Sequence, residues 1–404
     1  MASVVLFDNP STRLDLLPLA FTRPVAEFRV GITTIRDKWE RVLQADFSYL
    51  TEDYLSGKYP CSSELDDTTL FIAGNILPCD KLVDEISALA TDQALVRGDS
   101  VIAYRGPSFD RASTRQTLKC RIVESSADPI VISQVYDIFS VNGRAILDDF
   151  QAMVSPQSQS LPLSDSNRII GPTHDADGRP LVFLANGAKA EGVIFNTNAG
   201  PIYLGPGAEV MEGSCLRGPV AVGTHATVNM SSKIYPATTI GPWCKVGGEL
   251  NNVVIFGFSN KAHDGFLGNA VIGEWCNLGA GCTASNLKND YSTVRLWNYR
   301  TESFQRTSLQ FCGLIMGDHS KAGINTMFNT ATIAGVGVNV YGAGFPRTFI
   351  ASFSQGGSTG FNDVPLNKFF DIATRVMARR GCELTDEDRR IFETIYKYAH
   401  NIKN

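Results

Sequence analysis

The sequence predicts an α/β layered N-terminal half, a left-handed parallel β-helix, and C-terminal helices. Three observations carry this. Aliphatic residues recur every six positions between about 180 and 350. Short apolar runs alternate with helical stretches over 1–170, and capped helical segments follow 360.

The six-residue period is the strongest signal. From Leu204 the series runs Val210, Leu216, Val222, Val228, Ile234, Ile240, Val246, all aliphatic. If a quarter of residues are of this type, chance gives roughly one in 10⁵ for a fixed register. Four residues after each stand Ala208, Ser214, Val220, Ala226, Ser232, Thr238, Cys244 and Leu250, mostly small. Three short strands make one triangular coil, so the aliphatic fills the interior and the small residue lets the corner turn. Neither the period of a helix nor that of a half-exposed strand fits. The register resumes at Phe266, Ile272, Leu278 and Ala284, with Ala270, Cys276 and Cys282 at the small site, then at Met316, Ala322, Phe328, Ala334 and Val340. The breaks predict loops near 251–265 and 285–312, and loops on a rigid solenoid are where function is placed.

In the N-terminal half, strands are expected at Val4–Phe7, Thr69–Ala73, Ser100–Ala103 and Ile130–Ile132, and helices at Ile32–Leu43 and Lys81–Ala90. The polar stretch Ser155–Asp165 reads as a linker. The run SQGGSTG after 352 reads as a hinge before a helix at Leu366–Arg380, ended by Gly381. Thr385 and Asp388 resemble a capping box opening a last helix. The expected domains are thus 1–170, 175–352 and 360–404.

The chain of 404 residues carries a net charge of −5, with no long basic run. This disfavours nucleic acid and anionic membranes as partners. No apolar run reaches membrane-spanning length, and MASVVLFDNP reads as a buried strand rather than a signal peptide. The nine cysteines form no Cys-x-x-Cys pair, which fits free thiols in a reducing cytoplasm.

His263 is the first candidate for chemistry. Acyl transfer to an amine needs a general base near neutral pKa, and histidine is the usual supplier. The block H-x-x-F-L-G-x-A-x-I-G-x-x-x-N-x-G-A-G-x-x-x-x-N, His263 to Asn286, resembles the acetyltransferase half of the bifunctional N-acetylglucosamine-1-phosphate uridyltransferase/glucosamine-1-phosphate acetyltransferase family. The resemblance implies His263 as the base and Phe266, where the family has Tyr, beside the sugar without that hydroxyl's hydrogen bond. It also implies Asn277 with Lys233 or Arg217 at the sugar phosphate, Ala280 and Asn286 at coenzyme A or the acetyl group, acetyl-CoA as co-substrate, and a homotrimer whose site spans two chains. Trp243, Trp275 and Trp297 would be exposed aromatics buried by that assembly. A rival zinc site built on His225, His263 and His319 has spacings too wide for that class.

The N-terminal run LFDNPSTRLDLLPLAFTRPVAEFRVGI is similar to a divergent branch of the same family, so the first domain is expected to be nucleotidyltransferase-like. Thr12, Arg13, Arg23 and Pro24 fall where the family has Thr, Arg, Lys and Pro. Both loop glycines are absent. Asp8, Arg13, Arg23 and Arg29 are the candidate carriers of nucleotide binding. Mg²⁺ is the metal that half would take, but Gly74-Asn75 replaces Gly-Asp, and Asn offers no anionic ligand.

The expected activity is sugar-1-phosphate nucleotidyl transfer, acetyl-CoA-dependent acyl transfer to an amino-sugar phosphate, or both. Its substrates would be a sugar phosphate, a nucleoside triphosphate and acetyl-CoA. Backbone N–H groups of the coil would stabilise the tetrahedral oxyanion. The alternative is a non-catalytic, sugar-nucleotide-binding trimeric scaffold.

Overall fold

The computed structural model describes residues 3–403. Its contacts divide into two units. One comprises residues up to Phe28, Thr33–Asp137 and Thr385–Thr394. The other comprises Arg29–Ile32, Ile138–Leu384 and the residues from Ile395 on. The sequence-based division at 170 differs because the helix that follows Asp137 packs with the β-helix.

In the first unit, β1 (Ser3–Phe7) pairs in parallel with β2 (Asp46–Leu50) and β3 (Leu70–Ala73). β4 (Gln93–Arg97), β5 (Ser100–Arg105) and β6 (Arg121–Glu124) complete a six-stranded sheet of order β2-β1-β3-β5-β4-β6. β1 and β3 lie in the core, which is why they read as unbroken apolar runs. Helices α1 (Pro10–Asp15), α2 (Ile35–Leu43) and α3 (Asp80–Ser87) flank these strands in sequence. Thr34 and Asp37 form a capping box that starts α2 three residues later than expected. Buried Trp39 donates its indole N–H to the Ile76 carbonyl at 2.8 Å. The expected strand at Ile130–Ile132 is only an isolated bridge, Val131 to Ile76.

The second unit is the left-handed parallel β-helix that the period predicts. Strands Ile202–Leu204, Glu209–Val210 and Cys215–Arg217 form one coil, and the next repeats it 18 residues on. Every residue of the Leu204–Val246 aliphatic series is at most 1% exposed. The 251–265 break is not a loop. The coil contracts there, so that Lys261 pairs with Val246 only 15 residues earlier. Leu250 therefore takes an inward position, and Leu267, not Phe266, is the next on its face. The second break does hold an excursion, 285–313, with a hairpin of Arg295–Asn298 and Ser303–Arg306. The expected hinge is also a hairpin, Ser354–Gly357 with Gly360–Asp363, which extends the β-helix.

The three faces differ. On the face that includes Ile202–Leu204, outward residues are mostly apolar, and helix α4 (Asp137–Met153) with residues 29–32 covers Tyr203, Ala221 and Thr239. Asn142 donates to the Ala237 carbonyl and accepts from the Gly31 N–H, and Asp149 accepts from the Ile32 N–H. Tyr203, Ala221, Ile146 and Phe150 pack together beneath. The face that includes Cys215–Arg217 is mixed. The face that includes Glu209–Val210 carries a polar column, and helix α5 (Leu366–Ala378) ends over part of it. Helix α6 (Asp386–Lys403) follows, opened by the Thr385–Asp388 box.

Candidate active site

His263 is exposed, at the corner between the polar and mixed faces. The corner is built on Lys261, which occupies the interior position held by Val228, Val246 and Leu278 in neighbouring coils. The Lys261 ammonium is 1% exposed as a residue and donates to the carbonyls of His263 (2.6 Å) and Gly247 (3.2 Å). Burial pulls its pKa down to about 8. The next coil repeats the corner. The Gly281 N–H donates to Asp264 O, and the Asn325 N–H to Ala280 O. Ala280 thus stacks one coil from His263, and Asn277 lies on the polar face just before it.

On the mixed face, Lys233, Glu249 and Phe266 occupy successive rungs of one outward column. Arg217 lies in the adjacent outward position and is exposed. Gly268 is essential to what happens beside it. A Cβ there would lie 2.6 Å from the Phe266 ring and 2.5 Å from Asn286 Nδ2. Its absence brings Phe266 and Asn286 together. Asn286 closes an asparagine ladder, donating to Asn269 Oδ1 at 2.9 Å, while Asn269 donates to Asn252 at 3.1 Å. The structure thus gathers His263, Phe266, Ala280 and Asn277 around one corner, with Lys233 two rungs from Phe266. Asn286 packs on Gly268 beside the Phe266 ring and is held there by its ladder.

The aromatics behave differently from expectation. At another corner His225, Trp243, Phe258, Trp275 and His319 all have positive φ; His225 packs on Trp243, and Phe258, Trp275 and His319 stack. Trp275 is buried in its own chain, sandwiched by Phe258 at 4.3 Å and His319. Trp297 stacks on Phe349 at 4.1 Å and is half-buried; Trp243 remains 39% exposed. Among the described residues no His, Cys, Asp and Glu group is arranged to hold a metal.

In the first unit, Asp8 follows β1 and is buried. It accepts from the Val25 N–H (2.9 Å) and the Thr51 hydroxyl (2.5 Å), with Arg13 Nε at 3.9 Å. Burial, only partly offset by Arg13 and these hydrogen bonds, raises its pKa. Arg13 is itself buried, donating to Ala20 O and the Tyr54 hydroxyl. Arg23 is buried beside Thr22. Arg29 belongs to the second unit, where it donates to the carbonyls of Phe256 and Ile32. Asn75 donates its amide to Ile132 O. These residues fit Mg²⁺ poorly: both oxygens of the Asp8 carboxylate already accept hydrogen bonds, and Asn75 offers only a neutral amide oxygen.

Sheet, buried β1 junction and hexapeptide coil define the class: a nucleotidyltransferase-like domain joined to a β-helix. Residues 4–157 match the family described as sugar nucleotidyl transferase. Curated relatives are bifunctional GlmU proteins. That of Gloeobacter violaceus is 29% identical over 34% of this chain and 26% of its own, and that of Corynebacterium glutamicum strain R is 34% identical over 29% and 20%. The matches to the first relatives span about a third or less of their length. Parts of the chain are thus similar to a sugar nucleotidyl transferase family and to bifunctional GlmU proteins. Solved structures similar to it include an Arabidopsis UDP-N-acetylglucosamine acyltransferase and the polysialic acid O-acetyltransferase OatWY. The first is 12% identical with a TM-score of 0.22, over 55% of this chain and 77% of that one. The second is 13% identical with a TM-score of 0.21, over 50% and 86%.

Proposed function

We propose that the chain is a transferase of nucleotide-sugar metabolism whose β-helix transfers an acyl group from acetyl-CoA to the amine of an amino-sugar phosphate. The observation that carries this is the His263 corner: an exposed imidazole on a clamped backbone, one coil from Ala280 and flanked by Phe266 and Asn277. His263 takes a proton from the sugar amine as its nitrogen attacks the thioester carbonyl. The tetrahedral adduct collapses with loss of the thiolate, which is then protonated. Lys233, Arg217 and Asn277 are the candidates to hold the sugar phosphate. Ala280 and Asn286 are the candidates for contact with the acyl donor.

The N-terminal domain is proposed to bind the nucleotide end of a sugar nucleotide. Sugar-1-phosphate nucleotidyl transfer is the stronger form of that reading. The buried Asp8–Arg13 pair, whose carboxylate oxygens already accept from Val25 and Thr51, favours binding over turnover.

The test is a panel of amino-sugar phosphates with acetyl-CoA, thiol release being followed, and then sugar phosphates with each nucleoside triphosphate. His263→Ala should lower acetyl transfer by about 10²–10⁴-fold while shifting unfolding by under about 0.5 kcal/mol, as an exposed substitution does. Near-parental thiol release in His263→Ala removes the assignment.

A further inference from the structure

The C-terminal end of the β-helix carries a concavity away from the acyl-transfer corner. The last strand of the apolar face, Phe349–Ile350, is flanked by the hairpin of the 285–313 excursion and by the terminal hairpin. Residues of all three line a cavity of about 410 Å³. Phe349 lies three rungs beyond Val271 of the His263 coil, about 14 Å along the axis at the usual strand spacing. It is also on the face opposite the polar–mixed corner. None of the residues assigned to acyl transfer lines the cavity.

The floor of this cavity is aromatic and fixed. Trp297 stacks on Phe349 with planes 13° from parallel, while Phe304 meets Trp297 edge-on and Tyr299 meets Phe349 edge-on. Phe361 supplies a third ring, and all three lining rings are half-buried. The charged groups are few and exposed. The Arg347 guanidinium lies over the Phe361 ring at 5.5 Å, and the Asp363 carboxylate meets His400 Nε2 at 3.1 Å. Apolar rings with one donor-only group, one acceptor-only group and no net charge select against a charged ligand. An anion would meet Asp363, and a cation would meet Arg347. An amino-acid zwitterion would bring an ammonium that competes with His400, already placed between Asp363 and the Tyr396 carbonyl at 2.9 Å. A hydroxyl both donates and accepts, so it can use both groups without displacing either.

We propose that this cavity binds a neutral saccharide, one pyranose C–H face against the aromatic floor and its hydroxyls on Arg347 and Asp363. Sugar C–H groups carry slight positive charge and the face of an aromatic ring carries negative charge, so the two attract while apolar area is buried. The floor is already assembled by Trp297, Phe349 and their edge contacts, so little ordering cost falls on binding. The site is separate from the acyl-transfer reading and does not rest on it.

Saturation-transfer NMR and isothermal titration of the full chain with maltose, N-acetylglucosamine and phenylalanine test it. At least one sugar should bind with Kd on the order of 1 mM, with saturation on its ring C–H protons, and phenylalanine should bind more weakly than that sugar. Raising salt should leave the sugar's affinity unchanged, since no ion pair forms. Arg347→Gln and Asp363→Asn should each lower that affinity by about tenfold, with parental thiol release in the acetyl-CoA assay. Both side chains are exposed, so melting should not change. If Asp363→Asn melts lower through loss of the His400 contact, Arg347→Gln decides. No binding of either sugar, phenylalanine binding as tightly, or parental sugar affinity in the deciding variants overturns the proposal. Sugar binding that falls together with thiol release in these variants also overturns it, because the two sites would then be one. A parent without thiol release sinks the acyl-transfer reading and leaves this proposal to the binding data.

Discussion

Lys261 shows how much one residue can decide. Three coils in a row would have an aliphatic side chain at its position, and it places an ammonium there instead. Its two carbonyl bonds tie the backbone of His263 to the preceding coil. The folded-state pKa is depressed to about 8 from the ordinary 10.5. Between those values the unfolded chain binds more protons than the folded one, so folding stability rises with pH there. Below pH 8 both states are protonated and the cost of burial is constant. Relative to Lys261→Met, the parent should therefore gain stability from pH 8 to 10.5, on the order of 2 kcal/mol. Urea unfolding of both proteins at pH 7.5 and 10 measures it; parallel pH profiles would refute it. If the clamp positions His263, Lys261→Met should also lower kcat for acetyl transfer with KM little changed.

At the scale of elements, the junction of β1 and α1 makes the sharpest prediction. Asp8 and Arg13 are both buried, and removing one partner of such a pair leaves a charge without compensation. Arg13→Ala should destabilise the chain by about 3 kcal/mol, with Arg13→Lys intermediate, as read by urea unfolding. A loss under about 1 kcal/mol, together with a more than tenfold fall in nucleotidyl transfer, would instead make Arg13 a phosphate ligand. The sequence around Arg13 resembles a phosphate loop, and only the three-dimensional enclosure by Tyr54, Ala20 and Thr51 reveals a structural pair. The hexapeptide coils were legible because an interior position accepts little but aliphatic side chains, from Leu204 through Val246. The contraction after Val246 was not, since its signature is a lysine in an aliphatic slot, which reads as a loop residue. That one misreading moved the next interior position to Phe266 instead of Leu267 and hid the role of Lys261. His263, Phe266, Asn277 and Ala280 could be picked from sequence as neighbours because all lie within one coil of each other along the chain. The terminal cavity could not, because Trp297, Arg347 and Asp363 are far apart in sequence and meet only through the two hairpins.

For the whole molecule, the question is what covers the His263 corner. Part of the apolar face of the β-helix, around Tyr203, Ala221 and Thr239, is covered by α4 and residues 29–32. The polar and mixed faces meet at the corner that carries His263. Along that edge stand exposed apolar side chains: Met230 (65%), Ile324 (72%) and Tyr341 (49%). Ile324 sits one coil beyond Ala280, next to the Asn325 N–H that bonds to Ala280 O. A second copy of the chain packed along this edge would bury them and complete the acyl-transfer site from two sides. Repeating that heterologous contact about a threefold axis closes the assembly without leaving a free edge. Light scattering at micromolar concentration should therefore give about three times the 43.9 kDa monomer mass. Ile324→Glu should shift the protein toward monomer, and acetyl transfer should fall with the trimer fraction, because a charge forced into that contact has no partner. A monomeric parent with full acetyl-transfer activity would rule out a shared site. A trimer that survives Ile324→Glu would place the contact on a different edge.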